Sequence, residues 1–228
     1  AALFMRLMIP PVQHIMYIDE AMYMEAAKNL LHTGYQGDYP KSIGWPFILM
    51  IVFAFGVNNW IAIYTSVLFG ALTVFSMFFL SYAITRNKEL ALSAAFIFSL
   101  FASHVRWSAT AETNATSLFF VILVLFFCFL YYHYRKGSLL WLALSGLGFV
   151  CQLRPENYVF LVLFFVGCVL FNKKDILSYK FLLPLVIILI LSVPTLTQML
   201  HYRLGANWIE SDSRGALTGS NFGIVNLL

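Results

Sequence analysis

At 228 residues, with 61% hydrophobic side chains and only 11% charged ones, the chain falls outside the composition of soluble globular domains. A mean hydropathy of +0.82 and repeated long apolar runs make it all-α, a polytopic bundle of transmembrane helices. The net charge of +4 is scattered through short loops and builds no basic face, which excludes nucleic acid as a partner.

Ala1–Ile9 is too short to span and is expected to be the outgoing end of a truncated first helix, closed by Pro10-Pro11. Residues 19–31 place Met22, Ala26 and Leu30 at four-residue spacing in a segment of mixed polarity, which suits a helix lying along the membrane surface. Gly34, Gly37 and Pro40 mark a loop. Residues 43–57 form an apolar run of about fifteen, short of the twenty or so a crossing needs. Trp60–Ile84 is a full-length span, and a further apolar run extends from Leu90 to Val105 before a polar stretch, Arg106 to Thr116. Ser117–Tyr134 spans. Leu139–Leu153 and Tyr158–Phe171 form a pair around Arg154-Pro155-Glu156, and Phe181–Leu200 is the last clear crossing. Residues 10–58 thus read as a first outer loop with interfacial helices, and 60–200 as about six transmembrane helices. The chain opens at Ala1 and closes at Leu228 without a boundary signal, so 1–228 is expected to be one transmembrane module lacking further C-terminal sequence. Cys128, Cys151 and Cys168 sit inside apolar runs and read as small core residues.

Charge position sets the expected topology. Arg86/Lys88, Arg135/Lys136 and Lys173/Lys174/Lys180 occupy alternate short loops, which the positive-inside rule assigns to the cytoplasm. Asp19, Glu20, Glu25, Asp38, Glu112, Glu156, Glu210 and Asp212 then share the other side, provided that residues 43–57 stay re-entrant or interfacial.

Three stretches carry charges that need a reason. Asp19-Glu20, framed by Tyr17 and Tyr23, opens a helix; the pair serves equally as cap and dipole partner or as a source of bases. Arg154 and Glu156 lie between two runs of about fifteen residues, roughly 22 Å of helix against a 30 Å core, so both are expected at membrane depth. Charges there mark function or form an internal pair that pins a hairpin. Arg106 and Glu112 stand in the polar stretch, where Asn114-Ala115-Thr116 also fits a glycosylation sequon. Lys41 is either an interfacial anchor or a ligand. His14, His32, His104 and His201 have no metal-site spacing, so a divalent ion would have to be bound across loops, a minor alternative.

The outer side therefore collects carboxylates able to act as bases (Asp19, Glu20, Glu112) and cations able to hold a phosphate (Lys41, Arg106, Arg154). Moving a sugar off a polyprenyl phosphate needs a base for the acceptor and positive charge for the departing phosphate. It needs no nucleotide-binding domain, and the chain has neither a GxGxxG unit nor a P-loop.

Four segments carry a family resemblance: YIDEAMYMEAAKNLL, YPKSIGWPFILMIVFAFG, RWSATAETNATSLFF and QLRPENYVF. In this order they resemble the GT-C glycosyltransferases, in the branch of the protein O-mannosyltransferases and lipid A aminoarabinose transferases. The resemblance implies an inverting glycosyltransferase that uses a polyprenyl-phosphate sugar and a protein or lipid acceptor, with no obligatory metal. It implies a site facing away from the cytosol, in a prokaryotic plasma membrane. It makes Asp19 the catalytic base with Glu20 in support, Glu112 the second-loop acid where Asp is commoner, and Lys41 a phosphate contact, although Ser42-Ile43 replaces the usual proline pair. Arg154 matches an arginine of the prokaryotic relatives, with Glu156 and Tyr23 as supporting residues. Tyr17, Tyr23, Trp45 and Trp107 offer stacking surfaces for sugar. The competing classes are a transporter or flippase for a lipid-linked or anionic substrate, which predicts internal repeats that the chain lacks, and an arginine-driven polymerase or ligase of lipid-linked glycans.

Overall fold

In the computed structural model of the protein, residues 2–7, 18–34 and 42–171 are described, with Val186, Ile188, Ile190, Ser192 and Val193 beyond them. Tyr17, Lys41, the expected crossing 181–200 apart from those five positions, and the polar tail lie outside the described residues. Among the described residues every regular element is helical.

The chain begins with α1 (Ala2–Leu7), α2 (Ile18–Thr33) and α3 (Gly44–Phe53). At ten residues α3 is about 15 Å long, half the thickness of a hydrocarbon core. Then comes α4 (Asn59–Thr85), whose first turn is capped by the Asn58 side chain accepting from the Trp60 N–H at 2.9 Å. The helices α5 (Lys88–Ser99) and α6 (Ala102–Ser108) are joined at an elbow of 62°. They are followed by α7 (Thr113–Tyr134), α8 (Gly137–Leu153), a 3-10 turn over Pro155–Asn157, and α9 (Tyr158–Phe171). Among the described residues α4 and α7 are long and apolar enough to cross a membrane, and α5 with α6 adds a third if taken as one bent span. Rows of exposed apolar residues, Phe75 on α4, Phe96 and Ile97 on α5, and Val162, Leu163 and Leu170 on α9, suit a lipid solvent.

The run expected to stay continuous from Leu90 to Val105 breaks at Leu100-Phe101, and the expected loop 106–116 is largely helical. Polar anchors explain the redirection. His104 Nε2 donates to the Gly70 carbonyl of α4 at 3.2 Å, and Arg6 Nε of α1 donates to Ser108 Oγ at 3.3 Å. Those bonds draw the polar side of α6 against α1 and α4, which a straight continuation of α5 would leave in lipid.

Helix polarity follows from the ends. Both α4 and α7 terminate on an arginine in the left-handed conformation, Arg86 (φ 55) and Arg135 (φ 56). The Arg86 guanidinium donates to the Tyr134 hydroxyl at 3.1 Å, so the two helices run parallel with their basic ends together. At the other end Ser66 Oγ of α4 donates to the Glu112 carbonyl at 3.5 Å, and Thr113 Oγ1 of α7 donates to the Leu153 carbonyl at the close of α8 at 3.4 Å. One end of the bundle thus gathers α2, α3, the 109–112 turn, the start of α7 and the end of α8. Arg86, Lys88, Arg135 and Lys136 lie at the opposite end.

Two cores hold this together. The larger packs Val121, Val124, Cys128 and Tyr131 of α7 against Leu140, Leu144 and Leu147 of α8 and Phe164 and Cys168 of α9. The smaller joins the segments before α4 to the rest: Tyr23, Met24, Ala26 and Ala27 of α2, Trp45, Leu49 and Phe53 of α3, Ala62 and Ile63 of α4, Ala111 and Leu153. Gly44 is required there. A Cβ at that position would lie 2.5 Å from the Gln152 carbonyl oxygen and 2.8 Å from the Leu153 nitrogen, so only glycine lets the start of α3 rest on the end of α8.

Candidate active site

The turn between α6 and α7 is held by the two segments that precede α4. Glu20, fully buried on the first turn of α2, accepts the Ala111 N–H with Oε1 at 2.9 Å. Trp45 of α3, also fully buried, donates Nε1 to the Ala111 carbonyl at 2.8 Å. Both backbone groups of one residue are therefore fixed from outside its own loop. The consequence is that Glu112, the next residue, is carried to the same place as Asp19, the neighbour of Glu20.

Tyr23, one turn after Asp19 on α2 and 5% exposed, marks that place. Burial raises its pKa above the usual phenol value. The charge of Asp19 raises it further, Arg154 opposes, and Glu112 and Glu156 add to the rise. Four charged groups from three separate parts of the chain thus act on one hydroxyl. Three of the four are carboxylates.

Arg154 ends α8 in an extended conformation (φ −148, ψ 131), which turns its side chain out of the helix line just before Pro155. Its Nη1 donates to Asn114 Oδ1, and its Nε lies 3.6 Å from Glu156 Oε2. Asn114 Nδ2 in turn donates to Glu112 Oε2. Asn157, on the same 3-10 turn, donates to Ser117 Oγ and to the Val150 carbonyl, each at 2.9 Å, locking α8 and the turn to α7.

Beside this network opens a cavity of about 440 Å³. Its polar wall is Ser103, His104, Trp107, Asn114, Ser117, Arg154, Glu156 and Asn157; its apolar wall is Phe101, Leu118, Val121 and Phe160. One side can hydrogen-bond and the other can only pack, the division an amphiphile requires.

The expected site residues are placed as follows. Asp19, Tyr23, Glu112, Arg154 and Glu156 are brought together. Glu20 is turned inward as a clamp on the 109–112 turn. Arg106 is exposed on α6, its guanidinium over the Trp107 ring at 5.9 Å, and it is Trp107 that lines the cavity. Lys41 lies outside the described residues. Asn114, Ser117 and Asn157 were not singled out as site residues from the sequence. Asn114, which fits a glycosylation sequon, stands in the first turn of α7 with its amide engaged and Thr116 fully buried. Asn157 follows directly on Arg-Pro-Glu, the one signal that pointed to it. Among the described residues no three His, Cys, Asp or Glu side chains are grouped as metal ligands.

An all-helical membrane scaffold that collects carboxylates and a guanidinium at one end, beside an amphiphile-shaped cavity, is that of a GT-C membrane glycosyltransferase of the kind that uses polyprenyl-phosphate sugars. The family model for dolichyl-phosphate-mannose-protein mannosyltransferase matches residues 40–197, and the chain belongs to that family. The match includes Glu112, Asn114, Arg154 and Glu156, and begins after Asp19, Glu20 and Tyr23. No curated protein and no solved structure matches the chain.

Proposed function

We propose that the protein transfers a sugar from a polyprenyl-phosphate donor to a hydroxyl of a protein or lipid acceptor, by inverting displacement at the non-cytoplasmic face of a prokaryotic plasma membrane. The observation that carries this reading is the convergence of Asp19, Glu112 and Arg154 around Tyr23, beside the cavity. Asp19, half-buried on the first turn of α2, takes the acceptor proton. The acceptor oxygen forms its bond to the sugar C1 as the C1–O bond to phosphate breaks, and the polyprenyl phosphate leaves with the electron pair. That leaving group gains negative charge in the step, and Arg154 is the cation best placed to stabilise it, with Lys41 and Arg106 as further contacts. The lipid chain runs along Leu118, Val121 and Phe160. Outer sidedness is supported by the basic ends of α4 and α7, which lie opposite the site.

The test is Asp19→Asn in purified protein supplied with polyprenyl-phosphate mannose and, separately, polyprenyl-phosphate aminoarabinose. Transfer is expected to fall at least a hundredfold with donor binding retained, whereas Arg154→Gln weakens donor binding. An Asp19→Asn protein that transfers sugar at the wild-type rate removes the base and the mechanism with it.

A further inference from the structure

We propose that Asn114 is a positioning residue: its side-chain amide stands between Glu112 and Arg154 as a neutral spacer, holding each and keeping the carboxylate and the guanidinium from closing on one another. The inference rests on the preceding reading for its consequence in catalysis, but not for its geometry.

Three observations carry it. First, Asn114 is bonded at both ends of its amide, Oδ1 accepting from Arg154 Nη1 and Nδ2 donating to Glu112 Oε2. A guanidinium can only donate and a carboxylate can only accept, so the two neighbours dictate which way the amide points. Only a group with a donor at one end and an acceptor at the other serves both. Second, Glu112 occupies the N-cap position of α7, yet its side chain makes no capping bond to the helix backbone. Its carboxylate is instead held by the Asn114 side chain, two places on in the first turn of the same helix. Third, Arg154 and Glu112 come from the ends of two packed helices, with Thr113 bonded to the Leu153 carbonyl beside them. Two opposite charges set so close would pair directly if nothing stood between them, each cancelling the other's field at the substrate. A carboxylate gathered at the same site as the base Asp19 and a guanidinium meant to face a phosphate must be kept distinct, and the amide does this without adding charge.

The test uses two readouts on the full-length protein. The first is a double-mutant cycle of Glu112→Gln and Arg154→Gln, followed by thermal unfolding in detergent, in the native background and again with Asn114→Ala. Small coupling natively and at least a fivefold larger coupling constant in the Asn114→Ala background is expected, because the two charges then meet. Equal coupling in both backgrounds overturns the spacer, whether or not the protein transfers sugar. The second is transfer from polyprenyl-phosphate mannose by Asn114→Asp, which keeps the size but only accepts. With two adjacent carboxylates, the acidic limb of its rate–pH profile is expected to move up by about one unit, as like charges disfavour ionisation. Turnover falls more than tenfold, and Asn114→Gln, which keeps both donor and acceptor, recovers part of it. An Asn114→Asp profile that overlays the wild type also overturns the proposal. A wild-type protein inactive with every polyprenyl-phosphate sugar counts against the glycosyltransferase reading, and leaves the cycle to decide the spacer.

Discussion

Replacing Glu20 by alanine separates a structural carboxylate from a catalytic one. The side chain is fully buried and accepts the Ala111 N–H at 2.9 Å, so its loss leaves a buried donor unsatisfied. A hydrogen bond to a charged group contributes about 1.5–3 kcal/mol. The missing methylene adds about 0.8 kcal/mol, for a total of about 3 kcal/mol. At roughly 2–4 °C per kcal/mol for a chain of this size, Glu20→Ala lowers the melting temperature by about 6–12 °C. Glu20→Gln keeps an oxygen for the Ala111 amide and is expected to lose about half as much. The assay is thermal unfolding in detergent, run beside sugar transfer at a temperature where all variants are folded. There Glu20→Gln retains most of its turnover while Asp19→Asn does not. A Glu20→Gln protein as stable as wild type but as inactive as Asp19→Asn would falsify the clamp and move the base by one residue.

Gly44→Ala would ordinarily strengthen a helix by about 1 kcal/mol. Here the added Cβ meets the backbone of Gln152 and Leu153, so the melting temperature falls by the equivalent of about 1–3 kcal/mol, and any rise counts against α3 resting on α8. The raised pKa of Tyr23 makes the folded state hold its phenolic proton longer than the unfolded chain. Its contribution is complete below the unfolded value near 10 and is lost as pH climbs beyond it; Tyr23→Phe therefore flattens the decline in stability above about pH 10, and parallel wild-type and mutant curves refute the burial. In a cysteine-free background, Glu25→Cys on the exposed side of α2 and Lys136→Cys at the start of α8 are labelled by an impermeant maleimide from opposite sides of the membrane. Labelling of both from one side contradicts the parallel arrangement of α4 and α7.

Much of the helical plan is legible in the chain because each span must satisfy its own backbone and present apolar residues to lipid. A run such as Trp60–Ile84 is a helix whatever surrounds it, and α4 differs from that range by one residue at each end. Interruptions within runs are another matter. The elbow after Ser99 depends on Gly70 and Arg6, residues 29 and 93 positions away, and no local signal at Leu100-Phe101 announces it.

The site divides in the same way. The positions of the charges along the chain are what predict carboxylates and cations on one side, since inserting a charge into lipid is costly and the charged residues fall where the apolar runs end. Which of two adjacent acids faces inward was decided by packing: Glu20 and Asp19 share a helical turn, and the approach of Ala111 under Trp45 makes Glu20 the clamp, while Asp19 stays half-buried beside it. Asn114 shows the same limit. A neutral amide has no charge to betray it in the sequence, and its part emerged only when α7 and α8 brought Glu112 and Arg154 to its two ends. Solvent preference is a property of each residue and can be read along the chain. Hydrogen-bond partnership belongs to pairs separated by as many as 102 positions, and only the folded arrangement selects them.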